Sequence, residues 1–300
     1  MRMRRDVLRL LAACGAAAFV PRGAAAQGVL TRKIPSSGEA IPLVGLGSWI
    51  TFNVGNDPQG RDSCAEVMRA FFAAGGRMID SSPMYGSSQS VIGDGLKKLG
   101  ANVFAADKVW ISSGSRGPAQ IEASRRHWGV PKFDLLQVHN LLAWEEHLRT
   151  LFAMKAAGQV RYVGITTSEG RRHADFEKIM RAHPLDFVQL SYNILDRDAE
   201  TRILPLARER GMAVIINRPF REGDLIKKIA RKPLPGLAAE IGAASWAQLI
   251  LKFIVSHPAV TCAIPATTRV DHVQENMAAA SGSMPDAAMR GRIIAHVETL

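Results

Sequence analysis

Cysteine is scarce, with three in 300 residues. Three thiols cannot build a disulfide framework, and none stands at a metal-ligand spacing, so no metal site is predicted. No apolar run reaches the ~20 residues that cross a bilayer. Glycine and proline, at 26 and 15, are too few for a collagen-like chain, and 47% hydrophobic content excludes a disordered one. A G-x-G-x-x-G fingerprint is also missing: Gly45-Leu46-Gly47 follows a strand, but position 50 is Ile50 and no helix begins there. Acidic residues are the short side of the charge balance, 27 against 38 Lys+Arg, for a net +11. That excess is compatible with nucleic acid, anionic lipid, a phosphate-bearing ligand or a basic address tag.

Part of the charge is an address. The chain opens MRMRRDVLRLLAACGAAAFVPRGAAAQ, with Arg4 and Arg5 adjacent, an Ala-rich apolar stretch over Leu10–Val20, and Ala24-Ala25-Ala26 before Gln27. A basic start, a short apolar segment and a small-residue cleavage site form a secretory leader, here of the twin-arginine type. Residues 1–26 are therefore expected to be a cleaved signal peptide that engages the twin-arginine export machinery and sends the protein to the periplasm. Five arginines against Asp6 give the leader +4, leaving +7 of the +11 for residues 27–300. A lipobox reading around Cys14 is weaker, because Arg9 interrupts the apolar run before it.

The mature chain alternates short apolar runs with amphipathic stretches. The pattern predicts strands at Val44–Trp49, Arg77–Ser82, Val103–Val109, Asp134–His139, Tyr162–Thr167, Asp186–Tyr192, Ala213–Arg218 and Thr261–Ala266. It predicts helices at Arg61–Ala74, Ser88–Leu99, Pro118–Trp128, Trp144–Ala157, Arg171–Ala182, Asp198–Arg210, Ala243–Ser256 and Asp286–Thr299, with Gly158 and Gly211 as stops. From Asp80 to Asn217 the strand ends fall 28, 31, 27, 24 and 27 residues apart. One strand plus one crossover helix has that length, so a single-domain α/β fold, a (β/α)8 TIM barrel, is expected over 27–300. Leu30–Pro42, centred on Ser36-Ser37-Gly38, reads as a hairpin closing the barrel bottom.

Active sites of such barrels lie at the C-terminal strand ends. Asp80, Lys108 and His139 stand at or near the ends of three consecutive strands, and Tyr85 follows Asp80 by five residues. Taken singly, an Asp caps a helix, a Tyr packs and a His is structural. A lysine inside an apolar strand is harder to dismiss, because an unpaired buried ammonium is costly and a neighbouring carboxylate removes the cost. Together the four make chemical sense. An ammonium favours the phenolate and lowers the tyrosine pKa, the carboxylate fixes the ammonium, and the histidine orients a carbonyl oxygen. Such a set suits protonation of a ketone or aldehyde oxygen during hydride delivery.

The strings GLGSW, MIDSSPMYGSS, DKVW, LLQVHN and QLSYN, in this order, resemble the aldo-keto reductase superfamily, from about Leu30 to the C-terminus. The resemblance implies a (β/α)8 barrel that uses NADPH, with NADH as the alternative, to reduce a small carbonyl substrate. It assigns the catalytic tetrad to Asp80, Tyr85, Lys108 and His139, with Tyr85 as general acid. It places cofactor contacts at Gly47, Ser48, Thr166, Gln189, Arg218, Pro219, Phe220, Thr267, Arg269, Glu275 and Asn276. Two positions depart from the family pattern, Thr167 and Asp107, and Asp107 should point away from Lys108 because strand faces alternate. The basic stretch Phe220–Ile241 is either a solvated loop or a flap over the cofactor pyrophosphate. Neither nucleic acid nor stable membrane insertion is then needed to explain the charge. A catalytically weak nucleotide-binding or interaction protein on the same barrel is the alternative, and a Schiff-base lyase using Lys108 is a third.

Overall fold

The computed structural model describes residues 28–300, so the leader assigned to 1–26 lies outside the described residues. A short hairpin, β1 (Thr31–Lys33) with β2 (Ala40–Pro42), precedes eight parallel strands. These are β3 (Leu46–Gly47), β4 (Met78–Asp80), β5 (Phe104–Val109), β6 (Phe133–Val138), β7 (Val160–Thr166), β8 (Phe187–Ser191), β9 (Ala213–Asn217) and β10 (Cys262–Ala263). Each pairs with its sequence neighbour, and parallel bridges Val44↔Ala263 and Gly47↔Ala266 join the first strand to the last. The result is the expected (β/α)8 barrel.

The GLG string has its use at this seam. A Cβ on Gly47 would lie 2.7 Å from the Ile264 carbonyl oxygen, and one on Gly45 would lie 3.0 Å from that of Met78. Close backbone approach, not phosphate binding through a Rossmann turn, is what these glycines permit.

Helices α1 (Pro58–Ala73), α2 (Ser88–Leu99), α3 (Gly117–Trp128), α4 (Trp144–Ala156) and α5 (His173–Ala182) follow β3 to β7. Next come α6 (Ile203–Glu209), α7 (Asp224–Ile229), α8 (Leu237–Glu240), α9 (Trp246–Val255), α10 (Val270–Ala278) and α11 (Ala287–Val297). Caps fix several starts: Asp57 accepts from Gln59 and Gly60 N–H, Ser245 from Gln248 N–H, and Asp286 from Met289 N–H. Ser245 therefore begins α9 three residues later than periodicity suggested. The helix expected over Asp198–Arg210 divides into a 3-10 turn at Asp198–Glu200 and α6. Pro205 explains the break, since it has no N–H to donate and is tolerated only in a first helical turn.

Strand alternation sorts side chains into two cores. Outward residues pack against the helices. Inward ones form a plug with the hairpin residues Ile34 and Ile41, including Met78, Phe104, Leu135, Tyr162 and Phe187. The Tyr162 hydroxyl lies 2.7 Å from Ser37 Oγ, tying hairpin to barrel. The hairpin thus closes the bottom as expected, leaving the opposite mouth for chemistry. Cys64 and Cys262 are free and buried.

Candidate active site

Above the apolar plug the barrel interior turns polar. Asp80, Lys108, Gln137 and Gln189 are all buried on four different strands. Lys108 Nζ donates to Asp80 Oδ1 in a fully buried ion pair, and to the Ser81 carbonyl oxygen at 2.9 Å. The other carboxylate oxygen, Asp80 Oδ2, accepts from Gln189 Nε2 at 3.0 Å and Gln137 Nε2 at 3.5 Å. Burial works against the Lys108 charge, but Asp80 and then Tyr85 outweigh it and hold the pKa above its usual value.

Tyr85 sits in the turn between β4 and α2, its ring centroid 5.2 Å from Lys108 Nζ and 5.7 Å from the His139 ring, which meets it edge-on. Burial raises the Tyr85 pKa, and the Lys108 ammonium lowers it by less. The net direction corrects the expectation of a lowered value: in this site the tyrosine is held as a neutral acid. His139 is also held neutral, its pKa well below the usual value through burial and then Lys108. Its Nδ1 lies 2.8 Å from Ser82 Oγ, and that oxygen accepts from Met84 N–H at 3.2 Å. Ser82 thereby fixes the imidazole ring through Nδ1 and leaves Nε2 without a protein partner among the described residues. Ser82 was missed at sequence level, although it lies two residues after Asp80.

These groups floor a cavity of about 790 Å³, within the ~300–1,000 Å³ range of small-molecule and cofactor sites. Asp80, Tyr85 and His139 line it, while Lys108 lies beneath the surface. Of the expected cofactor contacts, Gly47, Ser48, Gln189, Arg218, Phe220, Thr267, Glu275 and Asn276 line the cavity. Thr166, Pro219 and Arg269 are not among the lining residues. The Thr166 hydroxyl instead accepts from Asn140 N–H at 2.9 Å, and Arg269 turns outward onto Asp271, at 3.0 and 2.5 Å. Thr167 is also engaged internally, donating to the Arg171 carbonyl at 2.6 Å. Ser48 Oγ, though it lines the cavity, donates to the Asp80 carbonyl at 2.8 Å.

The stretch Phe220–Ile241 is ordered by α7 and α8, and its Phe220, Ile226 and Leu234 form a cavity wall. Trp246 Nε1 donates to the Lys232 carbonyl at 3.0 Å and pins that wall to α9. Charged pairs bridge the neighbouring loops: Glu169 contacts Arg218 and Arg171, both at 2.7 Å. These acidic partners were not singled out from sequence. Met84 lines the cavity, whereas Trp110 and Trp144 do not. At the rim, Ile50 has φ 63° and is 64% exposed. A β-branched residue in the left-handed region is strained, and its apolar side chain stands at the mouth. Thr51 Oγ1, beside it, is buried with no hydrogen-bond partner among the described residues.

Comparison with known proteins agrees with this geometry. The NADH-specific methylglyoxal reductase of Escherichia coli is 26% identical over 245 residues, spanning 68% of this chain and 72% of that protein. An aldo-keto reductase from Strobilurus tenacellus is 26% identical over 299 residues, 84% of this chain and 87% of that protein. An aldo-keto reductase from Klebsiella pneumoniae, crystallised with NADPH, superposes with a TM-score of 0.72 at 22% identity, covering 89% of this chain and 95% of that one. The model of the aldo/keto reductase family matches residues 43–291, from just after the hairpin into the last helix. With a match of that extent over the barrel that carries Asp80, Tyr85, Lys108 and His139, the chain belongs to the aldo/keto reductase family.

Proposed function

We propose that the protein is an NAD(P)H-dependent reductase of small aldehydes or ketones, with Tyr85 as the general acid. The observation that carries the reading is the buried Asp80–Lys108 pair under a neutral Tyr85, with neutral His139 alongside, at the floor of the cavity. The cavity suits a dinucleotide. It offers the amides of Gln189, Asn217 and Asn276, the hydroxyls of Ser245 and Thr267, the cations Arg218 and Lys232, and the unpartnered Thr51 Oγ1. When bound, a reduced nicotinamide supplies the hydride for the carbonyl carbon. Tyr85 gives its phenolic proton to the carbonyl oxygen, Lys108 stabilises the phenolate, and water returns the proton. His139 Nε2–H orients the carbonyl.

The lining residues also bear on the substrate. Those from the loops after β3, β4 and β6 include Trp49, Ile50, Met84 and Asn140, and the one formal charge on that side, Asp80 at the end of β4, is already paired with Lys108. Glu169, Arg171, Arg218, Glu222, Lys232 and Glu275 all come from the β7–β10 side. A neutral carbonyl fits the first side better than a carboxylated or phosphorylated one. Both NADPH and NADH belong in the assay, since the Arg269 guanidinium faces Asp271 at the surface rather than the cavity. The weak-binder alternative loses one of its motives, because Asp107 faces away from the site.

The test is turnover. Purified protein should oxidise NADPH or NADH only when a carbonyl is added, and should favour neutral over carboxylated members of matched pairs. Cofactor binding without turnover across a broad carbonyl panel would favour the binding-protein alternative. We further propose that residues 1–26 direct export. N-terminal sequencing of the periplasmic product should begin at Gln27, and a cytoplasmic full-length product would contradict that.

A further inference from the structure

Asp107 is fully buried on β5, on the helix-facing side of the strand. Its surroundings are explained by a missing rung in the sheet. Asp80 is in register with Ala106, and Ser81 N–H donates to the Ala106 carbonyl at 3.0 Å. In a parallel ladder the next bond runs from Lys108 N–H to the Ser81 carbonyl. Here the Ser81 carbonyl accepts from the Lys108 ammonium instead, at 2.9 Å. The Lys108 amide turns to Asp107 Oδ1, at 2.8 Å. A buried amide without an acceptor is costly, so the exchange requires a local acceptor, and Asp107 provides it.

The second carboxylate oxygen ties down the helices. Asp107 Oδ2 accepts from Gln89 Nε2 at 2.6 Å and from Trp128 Nε1 at 3.1 Å. Gln89 lies in the first turn of α2, four residues after Tyr85, and its Nε2 also reaches Ser124 Oγ at 2.9 Å. One side chain therefore links the strand that carries Lys108 to the helix that follows Tyr85. The charges near it are Lys108 and Asp80 across the strand, and the groups facing it from α2 and α3 are neutral.

We propose that Asp107 is a positioning residue for carbonyl reduction: it takes up the amide that the β4–β5 ladder gives up, so that the Ser81 carbonyl can hold the Lys108 ammonium under Tyr85. This rests on the reading of Lys108 and Tyr85 given above. Without the Asp107 acceptor, the Lys108 amide competes with the ammonium for the Ser81 carbonyl, and the hold on the ammonium is weakened. The chemical step suffers, while the cofactor cleft is untouched.

The experiment compares Asp107→Val, which removes the acceptor, with Asp107→Asn, which keeps an oxygen for Lys108 N–H. The expected result is a kcat lowered at least about tenfold in Asp107→Val, with carbonyl KM and NADPH Kd within about twofold of wild type. Asp107→Asn should keep kcat within about threefold. A folded Asp107→Val with wild-type kcat overturns the proposal. So does an asparagine variant as impaired as the valine one. If Asp107→Val does not fold, Asp107→Ala is read in the same way. A wild-type enzyme that binds NADPH but turns over no carbonyl overturns the reductase reading itself, whereas wild-type turnover with undiminished valine-variant turnover overturns the positioning role alone.

Discussion

Removing the Lys108 ammonium is expected to destabilise the protein as well as silence it, and the two effects can be separated. In Lys108→Met the Asp80 carboxylate, 2% exposed, keeps only the amides of Gln189 and Gln137. Breaking one side of a buried ion pair costs about 3–5 kcal/mol, because the other charge stays buried without its counter-ion. Converting both partners, as in Asp80→Asn with Lys108→Met, removes that charge and should recover most of the loss. Urea unfolding followed by tryptophan fluorescence gives the four stabilities of the cycle. The coupling should exceed ~2 kcal/mol, above what exposed pairs deliver. Turnover should be lost in both variants that carry Lys108→Met, since the recovered stability of the double variant restores no ammonium beneath Tyr85. A single Lys108→Met variant as stable as the double variant would refute the buried-pair reasoning.

Three further outcomes follow from the same geometry. Glu169→Gln releases Arg171, leaves Arg218 with Glu222 as its one remaining acidic partner, and removes a carboxylate from the cavity, so NADPH should bind up to about fivefold tighter at low salt, with the gain fading as salt rises; titration of cofactor fluorescence checks it. Gly47→Ala places a Cβ 2.7 Å from a backbone oxygen at the barrel seam and should cost about 1–3 kcal/mol, a fall in Tm read by calorimetry. Burial raises the Asp107 pKa to about 7, so the native state holds a proton that the unfolded chain releases near pH 4. The contribution of Asp107 to stability therefore declines as pH rises from about 4 to about 7. Asp107→Asn should flatten stability across that window, and unchanged pH dependence would contradict the assignment.

Much of the fold was legible because strand and helix periods alternate with little interference. α2 matches its expected bounds at both ends, and β5 and β6 each lie within a residue of theirs at either end. The misses have local causes. Pro205 broke a helix that apolar spacing alone made continuous, and β3 and β10 are shortened where the barrel closes through isolated bridges. The convergence of Asp80, Tyr85, Lys108 and His139 was legible because three of them fall on adjacent strand ends. What the sequence could not convey was the balance of opposing effects on Tyr85, where burial outweighs the ammonium. Nor could it show that Thr166 and Arg269 would be occupied by Asn140 and Asp271, since those partners are chosen by loop geometry rather than by spacing. The outward aim of Asp107 followed from strand alternation, but its part in replacing a ladder rung required the register between β4 and β5.

The central claim is that Tyr85 delivers the proton in nicotinamide-dependent carbonyl reduction. Its most direct test measures kcat and NADPH affinity in Tyr85→Phe, which keeps the ring against His139 and deletes only the acid. The account predicts a loss in kcat of about 10²–10⁴-fold with NADPH Kd unchanged. A phenylalanine variant that reduces the same carbonyl within a few-fold of wild type would contradict it.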